Sequence, residues 1–324
     1  MKTVITGANG LLGSFITREL IAQGEDVLAG VRAQSDLSLL ADVKSKVNFA
    51  EADVLDMPQL QAAFAGADTV IHAAGFVSFN PRKRDQLFQV NVEGTRNVVN
   101  TCLALGVKKL IHISSVAALG RTKGVKKISE ESKWTSSPHN TRYAESKYES
   151  ELEVFRGMEE GLVVSILNPS VILAPIKTGQ SSSQLFTYLN QERIFYGDGV
   201  INYVDVRDVA RMAHTLTRGN WQGERFIASA GASSMKELFD QAATRMGKRK
   251  PWVKVGTRVS KLAAIIEEMR ARMLGKEPLL TRESVKILEE EFFFDNQKAQ
   301  RELEMSFRSL EETLDWCAAE FAKA

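Results

Sequence analysis

Side chains that form covalent cross-links or bind metals are scarce in this sequence. Its 324 residues include two cysteines, Cys102 and Cys317, which form no spacing motif and argue against a disulfide framework or a cysteine metal site. The histidines also show no ligand spacing, and we therefore predict no metal. The four histidines are His72, His112, His139 and His214.

Long apolar runs and an excess of charge of one sign are missing as well. With 42 basic and 40 acidic residues the formal net charge is +2, so no overall field favours nucleic acid or a membrane as a partner. No apolar run approaches the ~20 residues of a membrane span, and a strand pattern that begins at Lys2 leaves no room for a signal peptide. We expect a cytoplasmic protein that binds a small molecule. A homodimer is a possible oligomeric state.

The first half of the chain alternates between strand and helix patterns. The strand segments are short, rich in Val and Ile and apolar on both faces, which is typical of buried parallel strands. We predict strands over Lys2–Thr6, Asp26–Val31, Val47–Glu51, Thr69–His72, Lys109–Ser114 and Val163–Asn168. We predict helices over Leu11–Ala22, Pro58–Phe64, Asp85–Leu105 and Arg142–Met158. The alternation predicts an α/β fold of Rossmann type, a doubly wound parallel sheet with right-handed crossovers.

The pattern becomes irregular after about residue 174. A polar loop at residues 179–183 is followed by a short strand at Tyr203–Val206, a helix at Arg207–Arg218 and a strand at Arg225–Ala228. We predict a dinucleotide-binding domain over residues 1–173, to which residues 202–218 return, and a smaller, mostly helical substrate-binding part over residues 174–324. Such sheets bind ligands at the carboxyl ends of their strands, so we expect the C-terminal part to close a cleft there.

A glycine turn connects the first strand to the first helix. Gly7, Gly10 and Gly13 are spaced as Gly-x-x-Gly-x-x-Gly. Backbone amides in such a turn can face a pyrophosphate with no Cβ atom in the way, and the start of the helix favours its negative charge. The turn therefore predicts a dinucleotide site, with a purely structural turn as the alternative.

The residues that follow the parallel strands bear on the choice of cofactor. An Asp or Glu after the second strand would accept from the ribose hydroxyls of NAD, but this chain has Arg32, whose guanidinium suits a 2′-phosphate. We therefore predict that the protein prefers NADP(H). The alternative is that Arg32 is a solvated loop residue and that the protein uses NAD(H). Asp53 follows the third strand, where its carboxylate could accept a hydrogen bond from the adenine amino group. The small residues Ala73, Ala74 and Gly75 would let the nicotinamide ribose lie against the backbone.

Tyr143 and Lys147 are four residues apart and share one face of a predicted helix. A free tyrosine has a pKa near ~10, and we expect the ammonium of Lys147 to stabilise the phenolate and lower that pKa. Ser115, just past the fifth strand, would donate to the substrate oxygen. Proton transfer by Tyr143, with charge stabilisation by the other two, would complement hydride transfer. An exposed helix face is the alternative interpretation.

These motifs resemble those of the extended short-chain dehydrogenase/reductases, within the epimerase/dehydratase superfamily. The segments that carry the resemblance run nearly from end to end. They are residues 6–13, Asp53-Val54, His72-Ala73-Ala74, residues 91–95, Ser115, Tyr143 with Lys147, Asn168-Pro169-Ser170 and residues 204–210. The segment Leu28–Arg32 is similar to the NADP signature of the dihydroflavonol-reductase-like branch. That branch reduces ketones or acyl-CoA thioesters with NADPH.

The resemblance implies roles for individual residues. It implies that Ser115 and Tyr143 polarise a carbonyl, that Lys147 holds the ribose and that Asn91 lies near the substrate. The resemblance also implies that the backbone of residues 169–171 runs alongside the amide group of the nicotinamide. Together with the motifs above, the expected cofactor site consists of Gly7, Asn9, Gly10, Leu11, Leu12, Gly13, Arg32, Asp53, Val54, Ala73, Ala74, Gly75, Tyr143, Lys147, Pro169, Ser170 and Val171.

Two departures from the superfamily pattern separate the candidate reactions. Sugar-nucleotide enzymes usually show Arg-Pro after the sixth strand, where this chain has Asn168-Pro169, and dehydratases tend to carry an Asp-Glu pair where it has Val116-Ala117-Ala118. We therefore predict an NADP(H)-dependent reductase of a ketone, an aldehyde or an acyl-CoA. The alternatives are a nucleotide-sugar epimerase or dehydratase that recycles its cofactor internally, and an NADP-binding regulator without activity.

Two further patterns are interpreted as structural. The basic residues at 82–84 and 121–127 are expected to lie in solvated loops beside the cleft. The alternative is that they bind an anionic substrate such as an acyl-CoA. The predicted helix Val259–Leu274 carries an apolar stripe, which we place in the core or in the pocket wall. A dimer or membrane-surface contact is the alternative. The stripe consists of Leu262, Ile265, Ile266, Met269 and Met273.

Overall fold

The computed structural model describes residues 1–121, 124–137, 140–176, 184–274, 278, 280–287 and 291–323. The predicted polar loop at 179–183, Lys123 and His139 lie outside the described residues.

The strands are short, as the sequence predicts. They are β1 (Lys2–Thr6), β2 (Asp26–Val31), β3 (Asn48–Glu51), β4 (Thr69–His72), β5 (Lys109–Ile113), β6 (Lys127–Ile128), β7 (Val163–Pro169), β8 (Val171–Leu173), β9 (Phe195–Gly197), β10 (Val200–Asp205), β11 (Glu224–Ala228), β12 (Gly231–Ser234), β13 (Val253–Val255) and β14 (Phe293–Phe294).

Helices connect most of these strands. They are α1 (Leu11–Ala22), α2 (Met57–Phe64), α3 (Arg84–Phe88), α4 (Gly94–Leu105), α5 (Arg142–Glu159), α6 (Gln184–Asn190), α7 (Val206–Arg218), α8 (Met235–Arg245), α9 (Thr257–Leu274), α10 (Arg282–Ile287), α11 (Gln297–Glu302) and α12 (Leu310–Lys323).

Seven parallel strands form the central sheet, in the order β11-β7-β5-β4-β1-β2-β3. The order reverses between β1 and β4, and the crevice at the carboxyl ends of such a pair is where doubly wound sheets bind ligands. The predicted doubly wound sheet is confirmed. The strand β11 also belongs to this sheet, so the C-terminal half of the chain supplies its edge.

Successive side chains of each central strand pack into two different cores, because neighbouring residues of a strand point to opposite faces. Ile5 of β1 lies in the core that also contains residues of α1 and α7. Val4 lies in the second core, with residues of α2, α4 and α5. Burial on both faces is why these strands read as continuous apolar segments.

The C-terminal part has its own core between β8, β10, α6, α8 and α12, which includes Phe186, Leu238, Leu314 and Phe321. The strand β10 pairs with β8 and β12, outside the central sheet, while α7 packs against α1. Several two- to four-residue strands in this half were not predicted, because such short pairings leave little periodicity in a sequence.

The single helix predicted over Asp85–Leu105 is interrupted. The chain widens into a π-helical turn at Gln89–Glu93, between α3 and α4. Within that turn the carbonyl of Asn91 accepts a hydrogen bond from the Thr95 hydroxyl at 2.6 Å. A methyl group on Gly94 would lie 2.7 Å from Val54 Cγ2, so the helix resumes at a residue where a side chain would displace Val54. Apolar periodicity does not encode such a local widening.

The placement of the apolar stripe of α9 in the core or the pocket wall was wrong. Leu262, Ile266 and Met269 are each about 60 % exposed, and Met273 is 85 % exposed. Periodicity identifies an amphipathic helix but does not show which face meets the protein. Among the described residues, no helix is both long enough and apolar enough to cross a membrane.

Candidate active site

The glycine turn forms a backbone cradle at the start of α1. Gly7 has φ +67°, and a Cβ atom there would lie 2.6 Å from Ala74 Cα. A Cβ atom on Gly13 would lie 2.1 Å from the Gly7 carbonyl oxygen. Neither position can accept a larger residue without moving the backbone. Because the first N–H groups of α1 face the turn, the cradle fits the pyrophosphate of a dinucleotide.

A cleft of about 1120 Å³ runs from this cradle along the carboxyl edge of the sheet. Several predicted residues line it: Asn9, Gly10, Leu11, Leu12, Gly13, Ala73, Gly75, Ser115, Tyr143, Ser170 and Val171. The C-terminal part lines the opposite wall, chiefly with Leu185, Tyr188, Ile201, Leu238 and Phe239. The tertiary structure thus brings the glycine turn and the Ser115–Tyr143 pair into one cleft.

Tyr143 lies in the first turn of α5, which Thr141 caps by accepting a hydrogen bond from the Ala144 N–H at 3.1 Å. Burial raises the pKa of Tyr143, while a hydrogen bond with the Ser115 side chain lowers it in part. The expected net lowering by Lys147 was wrong in direction, because removing the phenolate from water outweighs the favourable contacts. Tyr143 is therefore protonated at neutral pH and can act as an acid.

Lys147 lies one turn further along α5 and is buried. Its ammonium donates to the Ile113 carbonyl at 3.1 Å, and a methyl group on Gly75 would lie 3.3 Å from Lys147 Nζ. Burial lowers the pKa of Lys147 to about 8, and the charge of Glu151 opposes that shift. The ammonium is thus fixed beside the cleft at the carboxyl end of β5.

The sequence analysis missed a buried ion pair that contacts the residues around Ser115 and Lys147. Glu151 is fully buried, one turn beyond Lys147, and its carboxylate lies 2.7 Å from the Arg225 guanidinium on β11. The Asn168 amide donates to Glu151 at 2.6 Å and to the Ser115 carbonyl at 2.9 Å. Burial raises the pKa of Glu151, and Arg225 opposes this most strongly. The spacing Tyr143, Lys147, Glu151 on one helical face is the signal that could have revealed it.

Asn91, expected near the substrate, does not line the cleft as described. It is 2 % exposed, and its amide accepts from the Phe76 N–H at 2.8 Å and donates to the Phe76 carbonyl at 2.9 Å. It also donates to the Ser146 hydroxyl on α5 at 3.0 Å. The side chain therefore ties the cleft segment after β4 to the helix that carries Tyr143.

Two buried histidines beneath the site have structural contacts. His72 lies between the hydroxyls of Thr6, at 2.8 Å, and Thr95, at 3.0 Å. Burial lowers the pKa of His72 to about 3, so the ring is neutral. His112 lies beside it, with 5.2 Å between ring centroids, and burial lowers its pKa as well. Neither ring can supply a proton at neutral pH.

Near the glycine turn, the cleft contains an acid that the sequence analysis overlooked. Asp36 lines the cleft, and its backbone carbonyl accepts from the Asn9 amide at 3.2 Å. Hydrogen bonds from the backbone N–H and hydroxyl of Ser38 lower the pKa of Asp36. Arg32 is exposed just past β2, outside the described lining. Arg32 and Asp36, four positions apart, thus carry opposite charges in the segment after β2.

Other predicted site residues do not line the cleft as described. The carboxylate of Asp53 accepts from the Leu55 N–H at 3.0 Å, and Val54 is buried against α4. Ala74 and Pro169 likewise lie outside that lining. Within the described residues, no group of three or more His, Cys, Asp or Glu could hold a metal ion.

Comparison with known proteins places this architecture in a family. The profile of the NAD dependent epimerase/dehydratase family matches residues 3–227. A sterol demethylase protein B of Methylococcus capsulatus is 28 % identical over 310 residues, which are 94 % of this chain and 93 % of that protein. A putative dihydroflavonol 4-reductase of Synechocystis is 29 % identical over 323 residues, 96 % of this chain and 91 % of that protein.

A solved structure agrees with the fold. The crystal structure of a protein called gox2253 is similar to this chain with a TM-score of 0.83 and 31 % sequence identity. The similarity covers 99 % of this chain and 98 % of that one. The fold is therefore shared from end to end, including the C-terminal part.

Proposed function

The chain belongs to the NAD-dependent epimerase/dehydratase family, as an NAD(P)-dependent enzyme of the extended short-chain dehydrogenase/reductase type, and within it we propose a reductase that uses NADP(H) to reduce a ketone, an aldehyde or an acyl-CoA. One observation carries the proposal. Asp36, near the glycine turn, is the sole carboxylate among the described lining residues. Next to Ser115 the chain places the apolar segment Val116–Leu119. An elimination would need an acid and a base there.

The residues present support reduction of a carbonyl. The bound nicotinamide would supply hydride. Tyr143, held protonated by burial, donates its proton to the carbonyl oxygen, and the Ser115 hydroxyl donates a hydrogen bond to the same atom. Lys147, fixed by the Ile113 carbonyl, stabilises the negative charge that Tyr143 acquires and can donate to the nicotinamide ribose.

The walls of the cleft favour a substrate with an apolar body. Phe76, Val77 and Phe79 line one side, and the ring of Phe79 lies 6.0 Å from that of Tyr143. Leu185 and Phe239 line the other. The relatives named for a dihydroflavonol and a sterol, both bulky ring compounds, support such a substrate.

The reaction class can be tested by following the absorbance of reduced nicotinamide. A reductase releases oxidised cofactor after each turnover, so we expect the purified protein to be readily stripped of cofactor. We expect it to consume NADPH stoichiometrically with a matched substrate from a panel of aromatic ketones, acyl-CoA esters and nucleotide sugars. Turnover of a nucleotide sugar with no net change in absorbance would instead establish an epimerase or dehydratase. Cofactor binding without turnover of any panel member would favour a regulator.

Cofactor preference gives a second test. A guanidinium after the second strand suits a 2′-phosphate, which it would bind through charge-assisted hydrogen bonds, so we expect NADPH to bind more tightly than NADH. Hydrogen bonds to charged groups contribute about 1.5–3 kcal/mol, so Arg32→Ala should weaken NADPH binding about tenfold or more and leave NADH affinity nearly unchanged. Quenching of tryptophan fluorescence measures both. Equal affinities in the parent would contradict the predicted preference, and tighter NADH binding that is lost in Asp36→Asn would assign the choice of cofactor to Asp36.

Lys147 is expected to serve both binding and turnover. Lys147→Ala, or Lys147→Met, which preserves more of the buried volume, should weaken NADPH binding and lower kcat, each about tenfold or more. Because the pKa of Lys147 is about 8, the ammonium is charged below that pH and neutral above it. The kcat for reduction should therefore fall as the pH rises through about 8. A pH profile that is the same in the parent and in Lys147→Met would contradict this assignment.

A further inference from the structure

The helix α9 presents its large apolar side chains to solvent. Leu262, Ile266, Met269 and Met273 follow one another at spacings of four, three and four residues, so they form one stripe. They are 59–85 % exposed. The stripe is extended at one end by Val259, 62 % exposed.

The opposite side of the same helix meets the protein through small residues. Ala264 and Ala271 are buried, and each lies two positions from two members of the stripe. Residues two apart on a helix point to roughly opposite sides. The helix packs against α10. Its orientation is therefore the reverse of an ordinary amphipathic helix, which buries its apolar face in the core.

Basic residues border the stripe. Arg258, Lys261, Arg270 and Arg272 are exposed. The two acids of the helix, Glu267 and Glu268, are half-buried and form ion pairs with Arg270 and Arg282. These four basic residues surround an apolar stripe that carries no acid.

The charge of this region is set apart from that of the rest of the chain. Residues 245–274 contain nine Lys or Arg and two Glu, a net charge of +7 in a protein whose total is +2. Of the nine, Arg245 and Lys254 form ion pairs with Asp315 and Asp198, outside this segment. Trp252, five residues before α9, is 71 % exposed and is preceded by Lys248, Arg249 and Lys250. Tryptophan, apolar side chains and basic residues together are typical of helices that lie in the plane of a membrane interface.

We propose that α9, with the basic segment before it, docks this protein on the surface of a membrane that contains anionic lipid. The apolar stripe enters the boundary between headgroups and acyl chains, and the basic border meets the lipid phosphates. A second copy of the chain is the poorer occupant, because a symmetric contact would bring the two basic borders together. Ser284 of α10 and Thr281, just before that helix, line the cleft, so docking would bring the cleft close to the membrane.

Vesicle flotation tests the proposal. We expect the full chain to bind vesicles of phosphatidylcholine mixed with phosphatidylglycerol, to bind vesicles of phosphatidylcholine alone at least about tenfold more weakly, and to be released from the mixed vesicles by high salt. Ile266→Glu and Met273→Glu should each lower the partition coefficient about tenfold or more, since each places a carboxylate in the apolar stripe. Arg272→Gln should lower it about fivefold on mixed vesicles only.

Leu105→Glu is the matched control, because Leu105 is an exposed apolar residue, 42 % accessible, at the end of α4. It should bind vesicles like the parent. NADPH titration checks that every variant is folded, and Met273 is so exposed that its replacement cannot disturb the core. Absence of vesicle binding by the parent would overturn the proposal. Equal binding to both vesicle types, or a dimer that Met273→Glu converts to a monomer, would also overturn it.

Discussion

Tyr143→Phe is expected to lower kcat for reduction by about 10²- to 10⁴-fold, the range for loss of a general acid. The substitution removes the phenolic hydroxyl and its hydrogen bond with Ser115. It keeps the ring and its edge-to-face contact with Phe79. Because burial keeps Tyr143 protonated in the parent, the lost group is the proton itself rather than a fixed charge.

The measurement is steady-state oxidation of NADPH at saturating concentrations of the cofactor and of the best carbonyl substrate of the panel. NADPH affinity and thermal stability should stay near the parental values. Tyr148→Phe, on the same helix, is the matched control: its ring stacks on Trp134 at 4.4 Å, and its loss of a hydroxyl should leave turnover unchanged. Near-parental turnover in Tyr143→Phe would refute the proposed proton transfer.

Glu151→Ala is expected to lower the free energy of unfolding by about 3–5 kcal/mol, the range for removing one partner of a buried ion pair. The guanidinium of Arg225, whose side chain is 19 % exposed, would lose its carboxylate partner. The Asn168 amide would lose the carboxylate to which it donates a hydrogen bond at 2.6 Å. The same amide also donates a hydrogen bond to the Ser115 carbonyl. We therefore expect turnover to fall with stability.

Urea denaturation provides the comparison. Glu145→Ala is the control, because its ion pair with Arg142 is solvent-exposed and such pairs contribute about 0–1 kcal/mol. The double variant Glu151→Ala/Arg225→Ala should recover part of the loss, since it leaves no buried unpaired charge. A change below about 1 kcal/mol in Glu151→Ala would show that water solvates Arg225 in the folded state.

Local patterns in the sequence predicted the parts of this protein that depend on neighbours along the chain. The glycine turn was predicted from the spacing of Gly7, Gly10 and Gly13, and in the structure Gly7 has a positive φ and Gly13 has no room for a Cβ atom. The spacing of Tyr143 and Lys147 is fixed by helix geometry alone. The central strands were recognisable because burial on both faces leaves an uninterrupted apolar segment.

The tertiary structure decided what depends on contacts between distant residues. Glu151 and Arg225 are 74 positions apart, and only the pairing of β11 with β7 brings the guanidinium to the carboxylate. The raised pKa of Tyr143 follows from burial, which no spacing specifies. The pattern of α9 showed an apolar face but not its direction, because a helix exposes whichever side its neighbours leave uncovered. The sequence by itself thus determined the central strands, most of the helices between them and the candidate site residues, while packing determined the protonation, the support and the exposure of those side chains.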